Sequence, residues 1–203
     1  LFYDDEALHF KVATEIADGT YFPRLGPKLS VPGAHSPGPF YFYALAGTQI
    51  FGSNPLLANA LIALLGSLAV LLLWDSIRRI IDLRTATSVG FLLAGSPWLI
   101  LFSDRIWNPN FLPFFVALAI WITVRLRSVQ PFERLKKNSQ RLAILLISVL
   151  MLFPQIHLSS IALWPAFLIL LKPIFSSWNK KTIRWIIFWI FLINRPYLTI
   201  EIK

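Results

Sequence analysis

The 203-residue chain contains no cysteine, which excludes disulfide staples, thiolate metal sites and cysteine nucleophiles together. It is poor in acid, with ten Asp and Glu against nineteen Lys and Arg and a formal net charge of +9. It is also poor in charge of either sign: 14% of residues are charged and 56% hydrophobic, where a soluble domain carries about 25% charged residues. Water is therefore not expected to be its main solvent. No sequence repeat with a period of roughly 20 to 50 residues is present, which argues against a solenoid. No low-complexity linker divides the chain either. The basic residues lie in short clusters between apolar runs, not in a stripe with interleaved aromatics, so nucleic acid is not an expected partner.

What is present is a series of apolar segments. A helix needs about 20 residues to cross the hydrocarbon core. Residues 56–74 carry no charge and form the clearest candidate; residues 85–103, 111–124 and 183–194 give three more. Thirteen of the nineteen basic residues flank them. Arg78, Arg79 and Arg84 follow the first segment. Arg125, Arg127, Arg134, Lys136, Lys137 and Arg141 follow the third, and Lys172, Lys180, Lys181 and Arg184 border the last. The positive-inside rule predicts that all three clusters are cytoplasmic. Residues 142–171 then begin and end inside and must turn back, with Pro154 supplying the break and the hairpin tip falling near Pro154-Gln155-Ile156-His157. Each arm of about 15 residues covers roughly 22 Å against a core of about 30 Å, so the tip is expected to be sunk. Polar groups at that depth face protein or a wet cavity, which makes Gln155 and His157 candidate site residues.

By the same parity, residues 37–52 do not cross but form an aromatic-rich helix in the interface with Pro39 in its first turn. Residues 7–18 predict a second interfacial helix, with Leu8, Val12 and Ile16 on the apolar stripe and His9, Lys11, Glu15 and Asp18 on other faces, stopped by Gly19. The expected fold is all-α: a polytopic membrane helix bundle, one transmembrane domain over 1–203 with about six spans between 56 and 195. Residues 1–55 form an external first loop carrying the interfacial helices. Both ends read as cut, so a fragment is expected, with no span ahead of the external start to carry it across.

Five of the ten acids fall within the first eighteen residues. Asp4, Asp5 and Glu6 sit on the predicted outer face together with His35, the loop residues Arg105, Asn108 and Asn110, and Gln155 with His157. Asp4 or Asp5 also suits a helix N-cap, and Asn108 and Asn110 suit a turn around Pro109. A carboxylate able to take a hydroxyl proton, opposite an arginine and histidines able to hold a phosphate, is the equipment of glycosyl transfer from a lipid phosphate.

These residues also carry a resemblance. Asp5-Glu6 ahead of a helix ending in Ala17-Asp18-Gly19, then His35-Ser36-Pro37-Gly38-Pro39-Phe40-Tyr41, then Phe51-Gly52 before the first long span, resembles the first external loop of bacterial relatives of protein O-mannosyltransferases and aminoarabinose transferases. These belong to the GT-C superfamily, in the broad glycosyltransferase family 39 group. Arg105-Ile106-Trp107-Asn108-Pro109-Asn110 and Gln155-Ile156-His157 resemble further motifs of one bacterial branch. The resemblance implies an inverting, lipid-phosphate-sugar-dependent transferase in the cytoplasmic (inner) membrane with its site on the external or periplasmic face. Its donor would be a polyprenyl-phosphate sugar and its acceptor a lipid, glycan or protein.

Under it Asp5 would be the general base and Glu6 its helper, while Arg105 and His35 would hold the donor phosphate and Gln155 and His157 complete the pocket. Better-known members often carry a second aspartate after the loop arginine. This chain has Asn108 and Asn110, so no metal ligand set is assigned, while a divalent cation remains compatible with the resemblance. The alternative is a non-catalytic membrane component, such as a lipid-linked sugar carrier or a scaffold. A carrier is expected to break or charge its spans near the middle, and residues 56–74 offer only Asn59, Gly66 and Ser67.

Overall fold

Asn54 caps the first long helix by accepting from the Leu56 amide at 3.0 Å, and Pro55 fills the position where its missing N–H costs nothing. The computed structural model describes residues 4–127 and 137–175, and positions 183, 184, 187, 188 and 191 as helical. Over these residues the chain is helical, with eight α-helices of at least six residues: α1 (Asp4–Ala17), α2 (Phe40–Ala46), α3 (Pro55–Ile80), α4 (Leu83–Ala94), α5 (Pro97–Phe102), α6 (Leu112–Arg127), α7 (Lys137–Ile156) and α8 (Trp164–Phe175). Short 3-10 turns link several of them. Two stretches, Pro55–Ile80 and Asn108–Arg127, are long and apolar enough to cross a membrane. Most of the predicted last span at 183–194, and the basic residues Arg134, Lys136, Lys180 and Lys181, lie outside the described residues.

Helix α3 runs six residues beyond the expected end at Trp74 because Asp75 binds the arginines of the following turn. It accepts from Arg78 and, at 2.8 Å, from Arg79. The same carboxylate accepts from Trp121 Nε1 at 2.9 Å and Arg125 at 3.3 Å, tying the ends of α3 and α6 together. Both helices therefore run in the same direction, with their basic ends adjacent. Arg125 also stacks over Trp121, 4.6 Å from the ring centre. Asp75→Ala should lower stability by about 2 kcal/mol, because the side chain is only 18% exposed and four donors lose their acceptor. Unfolding of the detergent-solubilised chain would measure it, and Asp75→Asn should recover part of the loss through the Trp121 bond.

Helix α4, capped by Asp82 accepting from the Thr85 amide at 2.8 Å, returns along α3. The span expected at 85–103 is not continuous. Gly95 and Ser96 end α4, and a separate six-residue α5 starts at Pro97. Proline lacks the amide that would have continued the ladder, and Gly95 and Ser96 favour termini.

Pro154, by contrast, does not break α7, since the helix continues to Ile156 and the first extended residue is His157. The proline leaves the Leu150 carbonyl without its helical donor, and Trp164 Nε1 takes the place at 3.2 Å. This bond and the edge-on pair Phe153–Phe167, 5.9 Å apart, fold α8 back against α7. The turn-back expected over 142–171 is thus present, and its corner at His157 falls within the expected tip of Pro154 to His157.

The apolar stripe of α1 is rotated from the expected one. Ala13 and Ile16 are buried, but so is His9 at 5% exposure, while Leu8 is 46% exposed. Gly19, at φ +72, ends the element as expected. Helix α2 is the other half of this unit: Tyr41, Phe42, Leu45 and Ala46 are buried in a core shared with α1, α6 and α7. Asn108 Nδ2 donates to the Ile156 carbonyl at 2.6 Å, pinning the start of α6 to the end of α7. Helices α1 and α2, the 103–110 loop and the α7 corner thus gather at the end of the bundle away from the Asp75 cluster.

Candidate functional site

Asp5 and Glu6 stand in the first turn of α1, where unpaired amides and the helix dipole favour negative charge. Asp5 is exposed and Glu6 half-buried. They line a cleft of about 240 Å³ with Phe102, Arg105 and Trp107. The loop shapes Arg105's position. Its carbonyl accepts from the Trp107 amide at 2.8 Å and from Asn110 Nδ2 at 3.0 Å, and its guanidinium lies 5.8 Å over the Phe102 ring. Phe102 is in turn stacked on Trp98 at 4.9 Å. Two carboxylates and one fork-shaped cation thus share an aromatic-walled recess. The cleft is below the roughly 300–1,000 Å³ typical of whole small-molecule sites, so it suits the reacting end of a larger molecule.

The remaining candidates from the sequence are distributed elsewhere. His35 lines a different, larger groove. Gln155 is 3% exposed and packs beneath Gly38. His157 caps the 3-10 turn that follows it, its Nδ1 accepting from the Ser159 amide at 3.3 Å. Asn108 and Asn110 spend their amide groups on the loop and on the α7 corner. The structure therefore brings Asp5, Glu6 and Arg105 into one cleft, and places His35, Gln155, His157, Asn108 and Asn110 outside its lining. Among the described residues no three His, Asp or Glu side chains are grouped to hold a metal ion.

His9, read from the sequence as lying off the apolar face, is buried and lines the larger groove. Its Nδ1 meets the Tyr41 hydroxyl at 3.3 Å, and the ring makes a hydrogen bond to the Ile106 backbone. A neutral imidazole satisfies both, accepting from tyrosine through Nδ1 and donating through Nε2. Burial pushes the imidazole pKa below its ordinary value, outweighing the Ile106 bond and the negative charge of Asp5, which raise it. Tyr41 is pushed well up by burial first, then by Glu6 and Asp5, so its hydroxyl keeps its proton. The sequence signal was available in the i,i+4 spacing of Asp5, His9 and Ala13.

Because the folded state disfavours the charged ring, stability should fall as pH drops below about 6.5, where the unfolded histidine takes up its proton. His9→Gln should remove the component of the melting-temperature change between about pH 7 and pH 5 that this ring supplies. No family model, curated protein or solved structure matches the chain.

Proposed function

We propose that the protein is a membrane glycosyltransferase that moves a sugar from a polyprenyl-phosphate donor to an acceptor hydroxyl. The observation that carries this reading is the shared cleft of Asp5, Glu6 and Arg105. Asp5, the more exposed acid, takes the acceptor proton as the hydroxyl attacks the sugar carbon that bears the phosphate. Displacement from the opposite face inverts that carbon, and the leaving phosphate is received by the Arg105 guanidinium, whose planar fork suits a phosphoryl group. Glu6 orients the acceptor. The two long apolar helices support a membrane setting. The gathering of α1 and the 103–110 loop at the end opposite Arg78, Arg79 and Arg125 supports a site on the outer face of a multi-pass bundle in the cytoplasmic membrane.

The test is release of polyprenyl phosphate from a labelled polyprenyl-phosphate sugar by the full-length protein in liposomes. Turnover that depends on Asp5 supports the reading. Donor binding without turnover, indifferent to Asp5 and Arg105, would make the protein a carrier or scaffold instead.

A further inference from the structure

A second cavity at this end of the molecule has none of Asp5, Glu6 and Arg105 in its lining. It is a groove of about 730 Å³, within the range of small-molecule sites. One wall is apolar, formed by Leu8 and Val12 of α1 and Phe42 of α2, with His9 in its floor. The other wall is the segment between the two helices, which contributes Arg24, Lys28 and His35. That segment doubles back at Val31-Pro32-Gly33-Ala34, where the Ala34 amide donates to the Val31 carbonyl at 3.1 Å and Gly33 takes φ +76, a type II turn.

The turn puts Lys28 and His35 directly opposite each other as an antiparallel pair. The flanking bonds, Ser36 amide to Pro27 carbonyl and Leu29 amide to Ala34 carbonyl, both 2.9 Å, make it the closely spaced kind of pair. The two Cβ atoms then stand about 4.5–5.5 Å apart on one face. The Lys28 ammonium and the His35 ring therefore line the groove side by side as hydrogen-bond donors able to hold an anion between them. No carboxylate lines the groove. Among the described residues Arg24 and Lys28 are exposed and neither forms an ion pair, with Glu15 or with the nearer Asp18.

We propose that this groove binds a phosphate ester with an apolar body. The phosphate is held by Arg24, Lys28 and His35, and the apolar part lies on Leu8, Val12 and Phe42. The assignment needs neither Asp5 nor Arg105 and stands apart from the transfer reading. It fits a lipid headgroup or a soluble ester, and the probes below separate the two from free phosphate.

The experiment is calorimetric titration of the full-length protein in dodecyl maltoside micelles, which carry no phosphate, with hexyl phosphate, inorganic phosphate and hexanol, repeated with phosphatidylcholine added to see whether a lipid headgroup competes. Saturable hexyl phosphate binding is expected, at least tenfold tighter than inorganic phosphate, with none to hexanol. Arg24→Gln/Lys28→Gln should weaken it at least tenfold at an unchanged melting temperature, and Val12→Asn should weaken hexyl phosphate alone. Asp5→Asn should leave binding intact, which keeps failure of this site distinct from failure of the transferase. Equal affinity for inorganic and hexyl phosphate would overturn the apolar half of the assignment. Hexyl phosphate binding unaffected by the double substitution would overturn the whole.

Discussion

Asp5→Asn is expected to lower sugar transfer at least a hundredfold while leaving the fold in place. A positioned general base contributes roughly 10²–10⁴ in rate, and asparagine cannot accept the hydroxyl proton. The structural loss is small by comparison. Asp5 is exposed in the first turn of α1, where losing a negative charge costs about 0.3–1 kcal/mol of helix stabilisation. The two effects are read separately, as initial rate at saturating donor and as melting temperature. Glu6→Gln should act mainly on acceptor KM, since Glu6 orients the acceptor and takes no proton in this scheme. Arg105→Lys keeps a charge but loses the fork, and should reduce kcat because the phosphate gains charge only as the bond breaks. Wild-type rates in the Asp5 variant would remove the base from this position.

The long elements were legible because their signals are local. Asn54 followed by Pro55 announces the start of α3, Gly19 the end of α1, and the uncharged run from Leu56 the more hydrophobic of the two membrane-length stretches. Hydropathy alone could not see that Gly95, Ser96 and Pro97 divide the second segment, because a broken pair of apolar helices has the same mean hydropathy as a continuous one. Pro154 misled in the opposite sense. A proline in the last turn of a helix costs one hydrogen bond, and Trp164, ten residues further along, supplied the replacement.

At the site, the first-turn acids and the loop arginine were found from their residue types and do share a cleft. The asparagines were read for chemistry as well as for a turn, and their amides are consumed by backbone carbonyls: Asn110 within its own loop, as a turn residue would be, and Asn108 across to Ile156, a use fixed only when α6 and α7 meet. His35 was placed with Arg105 because charge parity puts both on the same predicted face and the resemblance gives both the donor phosphate. The Pro32-Gly33 turn carries it instead to the pair with Lys28, a long-range consequence of one glycine at positive φ. The rotation of α1 has the same origin: Leu8 and His9 are neighbours on the helical wheel, and Tyr41 with Ile106 decided in favour of the histidine.

The largest effect on stability is expected at Gly38, where two of the sequence motifs touch. Its φ of +94 disfavours any side chain, at a cost of about 1–2 kcal/mol. A Cβ added there would also lie 2.5 Å from Gln155 Oε1, 2.6 Å from its Cδ and 2.8 Å from its Cγ, so the outer half of a buried side chain would have to move. Overpacking of that kind costs about 1–3 kcal/mol, giving roughly 3 kcal/mol in all for Gly38→Ala. The two contributions separate in a double-mutant cycle. In a Gln155→Ala background the clash is absent, and the cost of Gly38→Ala should fall to the backbone part, about 1–2 kcal/mol. Equal costs in both backgrounds would mean that Gln155 yields freely and that the His35 to Pro39 segment is not seated on the α7 corner. A smaller cost beside alanine would establish Gln155 as the support on which that segment, and with it one wall of the phosphate groove, is held.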